Sequence, residues 1–269
     1  MAFFDSHFFS ETLGLSVSAH VLVPQATQRQ IGMAGGARSG VPEDGFPTLT
    51  LLHGLSDDHT IWMRRTSIER YAAAKNLAVV MPAVGRSFYQ DLVSGPRYWS
   101  FVSEELPALM RGFFPLAASR EANFVAGLSM GGYGALRLAL AHPERYAAAA
   151  SLSGALDVVR ICRDSGREGS RLSAAEVESM FGPKREAEGG ASDLRALANR
   201  GLHSGAVRPK LYLSCGTEDP LLEENRALHR DLQTLGFEHT YEERPGAHEW
   251  GFWDAEFQRV LDWLPLPPA

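Results

Sequence analysis

Three short stretches, Leu49–His53 (LTLLH), Ala78–Pro82 (AVVMP) and Phe124–Leu128 (FVAGL), are apolar in nearly continuous runs rather than in alternation. A strand with one wet face alternates apolar and polar residues. A continuous run must be covered on both faces, which in practice means a parallel sheet between layers of helices. The rest of the chain has the same rhythm. Candidate strands are Val17–Val23, Leu49–His53, Ala78–Met81, Asn123–Ala126, Ala147–Leu152, Lys210–Cys215 and His239–Glu243. Helical patterns lie between them at Ile61–Ala74, Val102–Gly112, Tyr133–Ala141, Glu224–Leu235 and Trp253–Trp263. The expected class is α/β, with a mostly parallel central sheet and helices on both faces. At 269 residues and 45% hydrophobic, the chain buries a full core without a metal or disulfide staple.

Two segments break the rhythm. Residues 25–47 are rich in Gly, Ala, Gln and Pro and have no period, so they read as an exposed loop between an early hairpin strand and the first buried strand. Residues 157–209 hold two short helical patterns, RLSAAEVESMF and ASDLRALANR, where a plain βα unit needs only a few linking residues. This insertion reads as a small helical cap on a single domain spanning 1–269.

Charge narrows the function classes. There are 26 Lys+Arg against 32 Asp+Glu, a formal net charge of −6, and no basic stripe, which argues against a nucleic-acid partner. No apolar run approaches a membrane span, and MAFFDSHFFSETLG lacks the basic and apolar regions of a signal peptide. Cys162 and Cys215 are the only cysteines and form no CxxC pair, so free thiols in the cytoplasm are expected. Cys215, with no positive neighbour, reads as a buried inert thiol.

The chemistry centres on Gly127-Leu128-Ser129-Met130-Gly131, a G-x-S-x-G that follows the run NFVA and opens the helical run YGALRLALA. At such a strand-to-helix turn the serine hydroxyl is pushed out of the sheet, and the start of the helix presents free N–H groups to a developing oxyanion. Ser129 is the candidate nucleophile. A neutral hydroxyl needs a base held by a carboxylate, and on this architecture those groups follow in the order Ser, acid, His. LYLSCGTEDP places Asp219 just past a strand, and ERPGAHEWGFW places His248 in the loop before the last helix. Glu218 is the rival acid, but Pro220 fixes the turn at Asp219. His239 lies within a strand pattern and His229 within a helical one, which suits surface histidines better than a base.

The second oxyanion donor is expected from LLHGLSDDH, where the strand ends at His53-Gly54 and the chain bends at Leu55. The amides of Leu55 and Met130 are the candidate hole. His53 reads as a residue that packs and holds this loop, and His59 as facing solvent. The GGYG after Ser129 lacks the third glycine of a dinucleotide fingerprint, and neither GxxxxGK[ST] nor HExxH occurs. The nine histidines show no zinc spacing, so no metal and no organic cofactor are expected.

Taken together, HGL, GLSMGGYGALRLAL, CGTEDPLLEEN and PGAHEWGFW resemble the esterase D family of α/β-hydrolases, from FFSETLG near the start to FWD near the end. Bacterial short-chain (tributyrin) esterases are the nearer resemblance, with S-formylglutathione hydrolases and mycolyl-transferring proteins more distant. The resemblance implies the α/β-hydrolase fold, Ser129, Asp219 and His248 as the triad, and the Leu55 and Met130 amides as the hole. It also draws attention to the segment SFYQDLVSGPRYWSFVSEELP, in which Ser87, Phe88, Tyr89, Asp91 and Tyr98 match an aromatic-and-Asp pattern near the cleft. Tyr89, Asp91 and Tyr98, with Trp250 beside the histidine, are therefore candidate substrate contacts. Packing is the competing role for these aromatics.

The expected function is a serine carboxylesterase acting on a small-molecule ester with a short acyl chain. An S-formylglutathione thioesterase is the alternative, with acyl transfer and a non-catalytic binding module behind it. Neither a nucleic acid nor a membrane is an expected partner. A homo-oligomer is compatible with the chain.

Overall fold

The computed structural model describes residues 1–27, 29, 31, 40–185, 187–203, 205 and 207–267. Eight strands, β1 (Ala2–Ser10), β2 (Leu15–Val23), β3 (Thr48–Leu52), β4 (Ala78–Pro82), β5 (Asn123–Leu128), β6 (Ala148–Leu152), β7 (Lys210–Gly216) and β8 (His239–Arg244), form one sheet in the order β1-β2-β4-β3-β5-β6-β7-β8. β2 runs antiparallel to β1 and β4, and every other pairing is parallel. The continuous apolar runs occupy the middle of this order, and all five residues of β4 are buried.

Among the described residues ten α-helices follow in chain order: α1 (Ile61–Arg65), α2 (Ile68–Ala74), α3 (Tyr98–Ser100), α4 (Leu106–Phe113), α5 (Met130–Ala141), α6 (Val158–Asp164), α7 (Ala174–Phe181), α8 (Leu194–His203), α9 (Leu222–Thr234) and α10 (Trp250–Trp263). Successive strand residues point to opposite faces, and the two faces have separate cores. Leu49, Leu51, Val79 and Phe124 pack with Trp62 of α1, Ile68 of α2 and Phe257 of α10. Leu52, Val80 and Val125 pack with Met110 of α4, Leu136 of α5, Leu197 of α8 and Leu228 of α9.

Several boundaries differ from the sequence reading, each for a local reason. β1 pairs along its full length with β2, from Ala2 opposite Val23 to Ser10 opposite Leu15, so the early hairpin has a first strand that the candidate list lacked. The helix expected over 61–74 breaks at Thr66, which is extended. The Thr66 hydroxyl donates to Trp62 O (2.7 Å) and accepts from Ile68 N (3.1 Å), replacing helical bonds at the junction. The helix expected over 102–112 is α-helical only from Leu106, after a π-helical stretch at Phe101–Glu105. Pro107 has no N–H to offer Ser103 O, which instead accepts from Arg145 Nη1 at 2.7 Å. Of the 25–47 loop, residues 28, 30 and 32–39 lie outside the described residues. Its end is tied down: Phe46 is buried and exchanges backbone bonds with Pro115 and Ala117.

The 157–209 insertion contributes three helices where two were expected. Asp157 caps α6 by accepting from Arg160 N (2.9 Å), and a Ser173–Glu176 capping box starts α7. Asp193 Oδ1 accepts from Arg195 N (3.0 Å) as α8 begins.

Entry into α5 is a tight junction between backbones. A Cβ on Gly131 would lie 2.5 Å from Leu52 O and 2.7 Å from His53 O, both backbone atoms that cannot step aside. Gly131→Ala is therefore expected to cost about 1–3 kcal/mol through forced backbone movement, read as a lower midpoint in urea denaturation.

Candidate active site

Ser129 joins β5 to α5 with φ 54° and ψ −118°, a conformation that a non-glycine residue adopts only when its surroundings impose it. Three backbone bonds impose it here: Ser129 N donates to Leu152 O (2.9 Å), while Ser129 O accepts from Ala155 N (3.0 Å) and Tyr133 N (3.2 Å).

Asp219 and His248 reach Ser129 from the loops that follow β7 and β8, two and three strands along the sheet from β5. His248 Nε2 lies 3.0 Å from Ser129 Oγ, and His248 Nδ1 lies 2.8 Å from Asp219 Oδ2. An ionised carboxylate only accepts, so Nδ1 carries the proton and Nε2 is left to accept from the serine. Asp219 is buried, which pushes its carboxyl up, but hydrogen bonds from His248 and from Leu221 N outweigh this and hold it below the usual range. Trp253 stands edge-on to the imidazole at 4.8 Å.

The loops carrying acid and base are locked together at two glycines. A Cβ on Gly216 would fall 2.1 Å from Gly246 O. The rival acid Glu218 serves this junction: its carboxylate accepts from Gly246 N, and its own N–H donates to Gly246 O at 3.0 Å. The rival bases sit elsewhere and bond each other, His229 Nδ1 to His239 Nε2 at 2.7 Å.

Leu55, Met130, Ser129 and His248 line one cavity of about 580 Å³. Neither the Leu55 nor the Met130 amide has an acceptor among the described residues, so both donors remain free. His53 fixes the loop that carries Leu55. Its Nε2 accepts from Val84 N (3.0 Å) and its Nδ1–H donates to Gly54 O (2.7 Å), while Tyr89 Oη donates to His53 O (2.9 Å). Burial lowers the His53 pKa to about 4, which keeps the ring neutral in this role.

The four candidate substrate contacts do not reach the cavity. Tyr89 is fully buried, and Trp250 packs edge-on against Trp62 and Trp253. Asp91 accepts from Ser100 N (2.9 Å) and Ser100 Oγ (2.6 Å), and so holds the turn at α3. Tyr98 opens α3 and is half-buried, its hydroxyl close to Gly85. Only Phe88 of the segment lines the cavity. Phe88 and Tyr89 both have positive φ, near 50°, and Arg137 braces them by donating to Tyr89 O (2.6 Å) and Gln90 Oε1 (2.8 Å) while lying 3.8 Å over Trp99. His59, expected in solvent, is largely covered, with a side chain 16% exposed. Cys162 and Cys215 are buried free thiols, pushed up to about 11 and about 12 by that burial.

The rest of the cavity wall comes from residues to which the sequence reading assigned no role. Ala155, Ile161, Leu172 and Leu221 extend the apolar lining, and Arg160, Asp164, Arg167, Glu168, Arg171 and Glu224 add charge. Glu224 is the unusual member. Burial raises its carboxyl to about 7, which the Arg160 contact at 3.1 Å only partly offsets, and its Oε1 has no partner.

Two outcomes follow from these placements. His53→Leu leaves Val84 N–H without an acceptor and releases the Leu55 loop. A stability loss of about 1–3 kcal/mol is expected, with kcat reduced more than KM in steady-state assays. Glu224 holds a proton in the folded state at a pH where the unfolded chain has lost it, so its contribution to stability falls as pH rises from ~4.3 to about 7 and is flat above. Glu224→Gln removes that slope. Relative to the wild type, the variant gains up to ~3 kcal/mol between pH 5 and pH 8, as measured by chemical denaturation at both pH values.

Residues 38–264 match the family model described as "Putative esterase". Over 226 residues the chain is 32% identical to an acetyl esterase of Caldicellulosiruptor saccharolyticus, covering 83% of this chain and 85% of that protein. Among solved structures, the fluorophosphonate-binding serine hydrolase F of Staphylococcus aureus superposes with a TM-score of 0.86 at 30% identity, covering 99% of both chains. An S-formylglutathione hydrolase of the same organism gives 0.83 at 30% identity over 98% of both chains. With a family match over most of its length and serine hydrolases of the same architecture beside it, the chain belongs to the esterase D family of α/β-hydrolases and is a serine hydrolase acting on ester bonds.

Proposed function

We propose that the protein is a serine carboxylesterase that cleaves short-chain acyl esters through Ser129, His248 and Asp219. The observation that carries this reading is the unbroken hydrogen-bond chain from Asp219 through His248 to Ser129, opening onto a cavity beside two free amides. Ser129 Oγ attacks the ester carbonyl as His248 Nε2 takes its proton. Asp219 holds the ring and stabilises the imidazolium. The Leu55 and Met130 amides receive the oxyanion, a term worth about 10²–10³ in rate for each donor. The alcohol leaves with the proton from His248, and water then releases the acid from the acyl-enzyme. The acetyl esterase relative and the apolar wall near Ser129 support a short acyl group.

The 157–209 insertion acts in this reading as a cap on a single domain, since Arg160 through Leu172 form one side of the cavity. Its outer members Arg167, Glu168 and Arg171 are exposed, which leaves water a route to the acyl-enzyme and favours hydrolysis over acyl transfer. The same charged rim supports a second reading, a thioesterase acting on S-formylglutathione, whose leaving group bears carboxylates for arginines to meet. A similar S-formylglutathione hydrolase structure points the same way. Residence in the cytoplasm fits two unpaired buried thiols.

Ser129→Ala is expected to lower hydrolysis of p-nitrophenyl acetate on the order of 10⁶-fold and to abolish labelling by a fluorophosphonate probe. Unchanged turnover would remove Ser129 from the mechanism, and an unlabelled wild type would leave a binding module. The ratio of kcat/KM on S-formylglutathione to that on acetyl and butyryl esters decides between the two leaving groups.

A further inference from the structure

A second cluster of reactive side chains lies where the β1–β2 hairpin meets the loop after β3, and none of its members lines the catalytic cavity. Asp5 and His20 are directly opposed across the hairpin, His7 follows two residues along on the same side of β1, and His59 arrives from the loop that carries Leu55. Three imidazoles turn the same atom to one carboxylate oxygen. Asp5 Oδ1 is 3.5 Å from His7 Nε2, 3.6 Å from His20 Nε2 and 4.0 Å from His59 Nε2. These separations are too long for hydrogen bonds.

The cluster is otherwise costly to build. The side chain of His20 is only 10% exposed, and the Nδ1 atoms of both His20 and His59 are buried without a partner. Among the described residues neither ring makes a hydrogen bond through either nitrogen, so the Nε2 atoms that face Asp5 Oδ1 are open to a ligand. A four-coordinate ion with bonds of about 2.0–2.1 Å holds its ligand atoms about 3.3 Å apart, which is close to the spacing around Asp5 Oδ1. One ligand atom each from Asp5, His20 and His59 already falls within 4.8 Å of the others. Imidazole with a single carboxylate suits zinc-class ions, whereas calcium and magnesium require oxygen donors. His7 is also oriented from behind, its Nδ1 meeting Ser18 Oγ at 2.9 Å, an arrangement usual for metal-ligating histidines.

We propose that Asp5, His20 and His59 form a binding site for a divalent transition-metal ion of the zinc class, with the fourth position left to water or to His7, whose ring would have to swing in. The ion ties the β1–β2 hairpin to the loop that presents the Leu55 amide. It is structural, since Ser129, His248 and Asp219 are complete without it. Sequence spacing hides the site, because antiparallel pairing brings residues 5 and 20 together and the loop after β3 adds residue 59.

The test uses the untagged full chain after chelation, titrated with Zn²⁺ by calorimetry and with Co²⁺ by visible absorption. One equivalent is expected to bind, with the intense d–d bands of a four-coordinate cobalt site and a higher Tm. Asp5→Asn, at a half-exposed position that spares the fold, and His59→Gln are each expected to weaken binding at least about tenfold and to remove those bands, with unchanged circular dichroism. His239→Gln, in the separate His229–His239 pair, is expected to leave binding intact. The proposal fails if the folded wild type shows no saturable binding, or if binding survives both Asp5→Asn and His59→Gln.

Discussion

The backbone of Ser129 is the constraint on which the rest of the site depends. A residue held at φ 54° relaxes unless its neighbours forbid it, and the neighbours that forbid it come from β6, the loop after it and β3. β6 supplies Leu152 O to Ser129 N, the residues after β6 supply Ala155 N to Ser129 O, and β3 presents Leu52 O and His53 O so close to Gly131 that no side chain fits between them. Parallel register among β3, β5 and β6 is thus a requirement of the nucleophile's geometry as well as a source of core packing. The same turn leaves Met130 N as the first unbonded donor of α5, so strain at the serine and a free N–H beside it are two results of one local shape.

A second strained turn supports the first. Phe88 and Tyr89 hold positive φ one layer away, and their conformation is fixed by the buried Arg137 guanidinium and by the Tyr89 hydroxyl on His53 O. His53 in turn bonds both Val84 N and Gly54 O and stays neutral because burial lowers its pKa. The path from Arg137 through Tyr89 and His53 to Leu55 consists of hydrogen bonds to backbone carbonyls and amides. Residues outside the cavity therefore set where the Leu55 amide sits. This explains why the aromatic segment 87–98 attracts notice in the sequence although only Phe88 reaches the cavity: its residues position the loop rather than the ligand.

What was legible in the sequence follows from what period and motif encode. The continuous runs at 49–53, 78–82 and 124–128 could only be central strands, and the order of Ser129, Asp219 and His248 placed all three at one sheet edge. The break at Thr66 and the late α-helical onset at Leu106 were hidden because they depend on a hydroxyl choosing Trp62 O and on Arg145 arriving from 42 residues away to take Ser103 O. The cluster around Asp5 was hidden for a related reason. Its members share a site through strand pairing, and linear spacing records pairing only when a known signature exists.

The cavity wall was the least legible part, and its electrostatics show why. Arg160, Arg167 and Arg171 face Asp164, Glu168 and Glu224 around the same space, so residue count alone gives a neutral rim. Burial alters that balance by raising Glu224 to about 7, where it is only partly ionised near neutral pH. The rim then carries a positive excess of up to one charge, although the chain as a whole is at −6. A field of that sign beside Ser129 weakens as pH rises past the Glu224 transition. Neither composition nor motif encodes this property. It arises only where α9 buries a carboxylate against α6, and so the charge of the rim, unlike the position of Ser129, is set by packing.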